Sequence, residues 1–262
     1  MGTSPCKGSL LALDVGNTNI TVGVFRGERL AKVFRLATAA HPSSYSAALR
    51  RIEAGAVVYG SVVPRLDRVF ERLSRELFGV KALAVTPSSP LGLRLRVRTP
   101  KEVGADRVLN ALAARELYGA PAVVVDFGTA TTFDCVSRSG DYLGGAILPG
   151  PHLAAKALSL HTAKLPLIRV ARPRRVIGKD TRECIQAGLY YGYVGMIERV
   201  LAGTVREMGC RSKRVATGGL AGMFSRELRF DAVAPDLTLQ GLRLAYAMIC
   251  PAPVGFGTIQ FP

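Results

Sequence analysis

The feature that most constrains this chain is a figure that occurs twice. Leu10 to Thr21 reads LLALDVGNTNIT, and residues 121–136 read PAVVVDFGTATTFDCV. Each copy is an apolar run, an aspartate, one further residue, a glycine and a threonine, and then a second β-rich run. Asp14-Val15-Gly16-Asn17-Thr18 is echoed by Asp126-Phe127-Gly128-Thr129, with a one-residue offset at the threonine. A carboxylate at the tip of a buried strand loses its hydration unless something compensates it. A ligand is therefore expected at each tip. An internal repeat also divides a chain into parts of similar construction, which predicts two domains, 1–119 and 120–262. Strands alternating with helices in both halves predict an α/β class with mixed sheets.

The pattern along the chain fills in this frame. Two strands and a tight turn are expected over 10–25, and a helix over 44–52 with Ser44 as its cap. A buried strand is expected over 56–63, ending at Pro64. Leu66, Val69, Phe70, Leu73 and Leu77 make one helix face. A further strand follows over 80–86, then a helix over 106–118 closed by Gly119. The second figure is followed by a hairpin-like return in GDYLGGAILPG, a long helix over 181–208, and a strand, Gly-Gly turn and helix over 214–224. The start up to Ser9 and the Pro- and Gly-rich tail after Cys250 are read as loose ends.

The chemistry of the repeated figure is legible in its residue types. Glycine lets the backbone turn sharply and lets a ligand approach closely. A turn of bared N–H groups is an anion-binding concavity, and the threonine hydroxyl adds a donor. An aspartate beside it repels phosphate unless a cation intervenes, so the pattern points to a metal-bridged phosphate, with Mg²⁺ held by a carboxylate and phosphate oxygens. An isolated Asp-x-Gly is equally an ordinary turn; it is the pairing that gives the signal weight. There is no P-loop and no dinucleotide fingerprint. Gly218 and Gly219, between a strand and a helix, either let backbone approach a flat group such as an adenine or simply start the helix. Asp106 and Arg107 stand at the mouth of a helix. The acid there either favours the helix dipole or accepts a hydroxyl proton, with the arginine fork holding an anionic substrate. Glu102, one turn earlier, is the competing acid and reads as surface.

Composition removes several classes. Of 262 residues, 48% are hydrophobic, so disorder is excluded as a class. No apolar run reaches membrane-spanning length, and no membrane partner is expected. Five scattered cysteines without a Cys-x-x-Cys pair, and three scattered histidines, disfavour a zinc centre and fit a reducing cytoplasm. A formal charge of +16 attracts phosphates or nucleic acid. However, acids interleave with the bases at helical spacing, and the Arg94–Arg98 and Arg169–Arg175 clusters lack interleaved aromatics. Nucleic acid is therefore disfavoured as a partner.

With these residues on the page, the chain resembles the type III pantothenate kinases of the acetate kinase, sugar kinase, heat-shock protein 70 and actin superfamily. The resemblance runs through LALDVGNTN, GADR, VDFGTATTFD, GGAILPG, TAKLP, GKDT and ATGGLA, over residues 10 to about 247. It implies two ribonuclease H-like (actin-like ATPase) domains with ATP between them. The implied reaction is phosphorylation of pantothenate, the first step of coenzyme A synthesis. It implies that Asp14, Val15, Gly16, Asn17, Thr18, Asn19, Ile20 and Thr21 form the first phosphate loop, with Asp14 on Mg²⁺. Gly104, Ala105, Asp106 and Arg107 would line the pantothenate site, with Asp106 as general base. Asp126 would hold a monovalent cation, K⁺ or NH₄⁺, and Thr129 would make the second phosphate contact. Thr181 would touch pantothenate across a homodimer interface, and Gly218 and Gly219 would lie near the adenosine.

One departure stands out. The family carries a Tyr before x-Asn-Pro ahead of the Gly-Ala-Asp-Arg stretch, and this chain has Val97, Arg98 and Thr99 there. Arg98 facing the acceptor carboxylate is a candidate compensation. That departure sustains one rival, a superfamily phosphotransferase with another acceptor. The positive charge sustains a second, a non-catalytic regulatory or nucleic-acid-binding relative. A third, a metal-dependent nuclease, needs several carboxylates on two metals, whereas here the acids sit on separate turns beside Gly-Thr donors. Gly188, Gly192 and Gly195 on the long helix fit either close packing inside the subunit or a dimer face.

Overall fold

A computed structural model describes residues 8–251. The expected loose start and tail, and Cys6, lie outside the described residues. The elements run β1 (Ser9–Val15), β2 (Asn19–Arg26), β3 (Arg29–Ala37), α1 (Pro42–Leu49), β4 (Ala56–Ser61), α2 (Pro64–Phe78), β5 (Leu83–Val85), α3 (Ala105–Tyr118), β6 (Ala122–Phe127), β7 (Ala130–Val136), β8 (Tyr142–Pro149), α4 (Pro151–Leu160), α5 (Thr181–Met208), β9 (Lys213–Thr217), α6 (Ala221–Phe224), β10 (Ala232–Val233) and α7 (Leu237–Ile249). A single 3₁₀ turn, Pro100–Glu102, precedes α3. Among the described residues no helix is long and apolar enough to cross a membrane.

The strands form two five-stranded sheets, β3-β2-β1-β4-β5 and β8-β7-β6-β9-β10. The order is the same in both. In each, three antiparallel strands are followed by two parallel additions. This is the mixed-sheet α/β architecture the repeat predicts. The apolar runs Leu10–Leu13 and Ala122–Val125 occupy the central strands and are buried, as strands covered on both faces must be. One core gathers Leu11, Leu13, Ile20, Val22, Tyr45, Phe70 and Leu73. The other gathers Val123, Val125, Phe127, Tyr190, Tyr193 and Phe224.

The domain boundary differs from the expected one. Among the described residues, one compact unit holds those up to Leu93, Arg98–Ala113, and those from Thr238 on; the other holds Arg94–Val97 and Ala114–Leu237. The reason is α7. Its Leu239 packs where a side chain on Gly23 would stand, Gly241 lies against the Leu109 backbone, and Thr238 Oγ1 donates to Asn110 Oδ1 at 2.8 Å. Elements that returned to unit 1 late in the chain, such as α7, carry no signal in the local repeat.

Smaller differences have equally local causes. Helix α1 is capped by His41, whose side chain accepts from the Ser43 N–H, with Pro42 in the first turn. Ser44 therefore lies inside the helix, because Pro42 suits the first turn and moves the start forward. Strands β3 and β10 and helix α7 were not expected. Strand β3 is an edge strand with Arg and Lys among its exposed residues, so its apolar alternation is weak. The two-residue Gly27-Glu28 link, with Gly27 at φ 59°, turns β2 into it.

Candidate active site

In unit 1 the candidate site starts at the tip of β1. Asp14 is partly buried, and Asn17, Thr18 and Asn19 are exposed. The turn is closed by the Gly16 N–H donating to the Asn19 carbonyl at 3.1 Å. It is braced from the far end of β3. Thr38 Oγ1 donates to the Gly16 carbonyl at 2.6 Å, and the Thr38 N–H donates to the Thr18 carbonyl at 3.0 Å. The Tyr45 hydroxyl in turn donates to the Thr38 carbonyl at 2.8 Å. Thr38 and Tyr45 are buried supports of the turn that the sequence reading did not find.

The Asp106 segment lies beside this turn for reasons that can be traced residue by residue. Asp14 pairs with Gly60 in the β1–β4 register, and adjacent strands are about 4.8 Å apart. Gly60 has no Cβ, and α3 lies over it: a Cβ there would stand 2.7 Å from Leu109 Cδ1 and 3.5 Å from the Ala105 Cβ. Val62, just past β4, donates its N–H to the Val15 carbonyl at 3.0 Å, and its Cγ1 is 3.4 Å from the Cβ position of Gly104. Gly104 also faces Asp106 Oδ1 across the space a side chain would fill. The Arg107 N–H donates to Asp106 Oδ1 at 2.8 Å. Asp14 and Asp106 thus belong to one cluster. A glycine inside a strand marks a close approach, so Gly60 in AVVYGSVV was the available signal for it.

Burial raises the Asp106 carboxyl above its ordinary value, opposed by the Arg107 N–H and guanidinium. A carboxylate whose burial favours its protonated form is the stronger base toward a hydroxyl proton. Glu102 is exposed and is occupied by Thr99, whose Oγ1 donates to Glu102 Oε2 at 3.0 Å. Arg98 is exposed, and Val97 packs against the bare face of Gly144, 3.3 Å from its Cβ position.

Unit 2 repeats the device with a shorter turn. Asp126 pairs with Thr132 on one side and Thr217 on the other. The Gly128 N–H donates to the Ala130 carbonyl at 3.1 Å. Gly16–Asn19 links the paired residues Val15 and Ile20, whereas Gly128–Ala130 links Phe127 and Thr131; that is the one-residue offset seen in the sequence. Gly218 follows Thr217 at φ 87°, with Asp126 Oδ1 and the Phe127 backbone where its side chain would be. Only glycine suits both the left-handed backbone and the close approach. Gly150, ahead of α4, is pressed against the Gly128 and Thr129 carbonyls, and its N–H donates to Thr129 at 3.0 Å. Asp126, Thr129, Gly218 and the start of α4 are therefore one cluster, and Gly219 is exposed beside it.

Thr181 is exposed at the first position of α5. The cap there is formed by Asp180, whose Oδ1 accepts from the Glu183 N–H at 2.8 Å. Thr181 makes no hydrogen bond to the second cluster among the described residues. Gly188, Gly192 and Gly195 are exposed, with nothing within 4 Å of their Cβ positions. Packing inside the described chain does not call for these glycines.

Among the described residues no three carboxylate, thiol or imidazole groups converge on a ready-made metal site. The donors present are single hard oxygens, Asp14 and Asp126, at the two glycine turns. This suits a magnesium ion that brings its remaining ligands with a nucleotide.

Comparison with known proteins points to one enzyme family. The profile of a family described as "Type III pantothenate kinase" matches residues 10–203. The chain is 45% identical over 249 residues to a type III pantothenate kinase of Moorella thermoacetica, covering 90% of this chain and 98% of that one. It is 44% identical over 249 residues to the enzyme of that name from Myxococcus xanthus, covering 90% and 97%. A solved structure from Campylobacter jejuni, named for the Baf family of transcriptional activators, superposes with a TM-score of 0.62 at 18% identity, covering 92% of this chain and all of that one. At that identity the likeness speaks for the fold alone.

Proposed function

The chain belongs to the type III pantothenate kinase family, and from that premise we propose that it transfers the γ-phosphoryl group of ATP to the primary hydroxyl of pantothenate. The product is 4'-phosphopantothenate, and the step is the first of coenzyme A synthesis. The observation that carries the reading is the Asp106 carboxylate, raised by burial and joined to the Asp14 turn through Gly60 and Val62. A base for the acceptor hydroxyl thus lies in one cluster with a phosphate turn.

Phosphoryl transfer needs positioning and charge neutralisation more than covalent chemistry. Asn17 and Thr18 reach phosphate oxygens from the first turn, and Thr129 does so from the second. Asp14 would hold magnesium, and Asp126 a monovalent cation, K⁺ or NH₄⁺; the cations supply charge neutralisation. Asp106 accepts the hydroxyl proton at its carboxylate. Arg107 faces the acceptor's carboxylate, and Gly104 and Ala105 form the wall beside it. Gly218 and Gly219 leave backbone open to adenosine. The bare glycine face of α5 supports a homodimer, in which Thr181 serves the acceptor site of the partner. We place the enzyme in the cytoplasm.

The deciding experiment is ADP release from ATP and Mg²⁺, with and without pantothenate, in K⁺ and then in Na⁺. The expected result is pantothenate-dependent turnover that collapses in Na⁺. Turnover indifferent to pantothenate would replace the acceptor and point to Val97 and Thr99. A folded chain without turnover would overturn the kinase reading.

A further inference from the structure

Strand β9 carries the phosphate-side Gly218 turn at its C-terminal end. At its other end lies a cavity of about 240 Å³ that the kinase chemistry does not use. Its walls come from the end of α5, the link into β9 and the segment before β10. Arg211, Arg214 and Arg229 line it together with Ser212, Phe230 and Asp231, and Val205 of α5 closes one side.

Three observations give this cavity a chemistry. First, three guanidinium-bearing residues face a single carboxylate. Arginine's planar fork matches phosphate oxygens, and among the described residues no ion pair holds Arg211, Arg214 or Arg229. Second, the walls are fixed in place. The Arg214 N–H donates to Asp231 Oδ2 at 2.8 Å, and the Asp231 N–H donates to the Arg214 carbonyl at 2.8 Å. The one carboxylate is thus partly satisfied by backbone. Third, Ser212 is 7% exposed, and its Oγ is buried without a hydrogen-bond partner among the described residues. A buried hydroxyl without a partner is uncommon in a native fold and calls for a reason. Ser212 lines the basic cavity, and a turn of its hydroxyl about χ1 would bring the unused donor toward an oxyanion held there.

We propose that this cavity is a second anion site, distinct from the phosphate turns, that binds a phosphate dianion, free or as a small phosphomonoester. Arg211 and Arg229 supply the charge, Ser212 donates the buried hydrogen bond, and Phe230 and Val205 give an apolar wall. The C-terminal end of α5 lies alongside and disfavours an anion. The arginines therefore have a second reading, as counter-charges to that helix end, and the test must separate the two.

The test is an amide NMR titration of the full labelled chain with inorganic phosphate, with sodium chloride at matched ionic strength as control. The expected result is saturable shifts at Ser212, Arg214 and Asp231 that chloride does not reproduce. Arg211→Ala and Arg229→Ala, both at exposed positions, should weaken this binding at least about tenfold, the scale of one charged hydrogen bond. Any phosphate shifts at Asn17 and Gly128, which belong to the kinase reading and not to this site, should be the same in both variants. Ser212→Ala should weaken phosphate binding a few-fold without lowering the melting midpoint in phosphate-free buffer. Phenyl phosphate binding more tightly than inorganic phosphate would assign the site to a phosphomonoester; equal binding would assign it to free phosphate. Linear shifts that chloride reproduces, or unchanged affinity in Arg229→Ala, would overturn the proposal. The readout does not depend on the acceptor or on turnover, so failure of the kinase reading would leave it standing.

Discussion

Asp106 joins two demands that can be separated by experiment. Its carboxyl is raised by burial, so the folded chain holds the proton more tightly than the unfolded chain does. The sign follows: the favourable contribution is complete below the unfolded pKa and is lost as pH rises through the folded one. Asp106→Asn avoids that loss and can still accept the Arg107 N–H. The variant should be at least as stable as the parent at pH 7, with the difference closing toward pH 4, as urea melts at several pH values would show. Its kcat should fall by about 10²–10⁴, the usual scale for a general base. Near-normal kcat would remove Asp106 from that role. At Gly218, alanine meets both a left-handed backbone at φ 87° and the Asp126 carboxylate. We expect a higher KM for ATP and weaker activation by K⁺ in steady-state assays. The placement of Asp14 and Asp126 at the ends of buried strands was legible in sequence because a carboxylate closing an apolar run is anomalous. Thr38 and Tyr45 were not, because a hydroxyl that braces a distant turn looks like any other hydroxyl.

The elements show where local pattern succeeds and fails. The span of α5 matches the expectation, Thr181 to Met208, because an Asp cap and a Gly209 stop are both local signals. Helix α3 ends as expected at Gly119, whose φ is 86°. Strand β3 and helix α7 escaped, since neither is marked by the repeated figure and α7 is defined by what it touches. The cost of that contact can be measured. Gly241→Ala places a methyl against the Leu109 backbone, and overpacking of this kind costs about 1–3 kcal/mol. The urea midpoint should fall accordingly, and activity should fall with it as α3 is pushed away from β4. An unchanged midpoint would show that α7 is not seated on α3.

At the scale of the whole molecule, the +16 charge is only partly absorbed by pairs such as Arg96 with Asp141 at 2.6 Å and Arg172 with Glu227 at 2.7 Å. The bare face of α5 leads to a prediction of mass. Gly192→Leu has open space around it and should fold normally. If the proposed dimer uses this face, sedimentation should show a shift toward the monomer; an unchanged mass would move the interface elsewhere. The division into two halves was legible from Asp14 and Asp126, and its true boundary was not, because the chain completes unit 1 with α7. That return has a consequence for biosynthesis. A ribosome that has released the first 237 residues has exported every strand of both sheets, yet Gly23, Asn110 and Leu109 still wait for Leu239, Thr238 and Gly241. Nascent domains generally fold in order, N-terminal first. Here the first unit to begin is the last to be finished, and Asp106, the proposed base, sits on the helix that α7 has yet to cover.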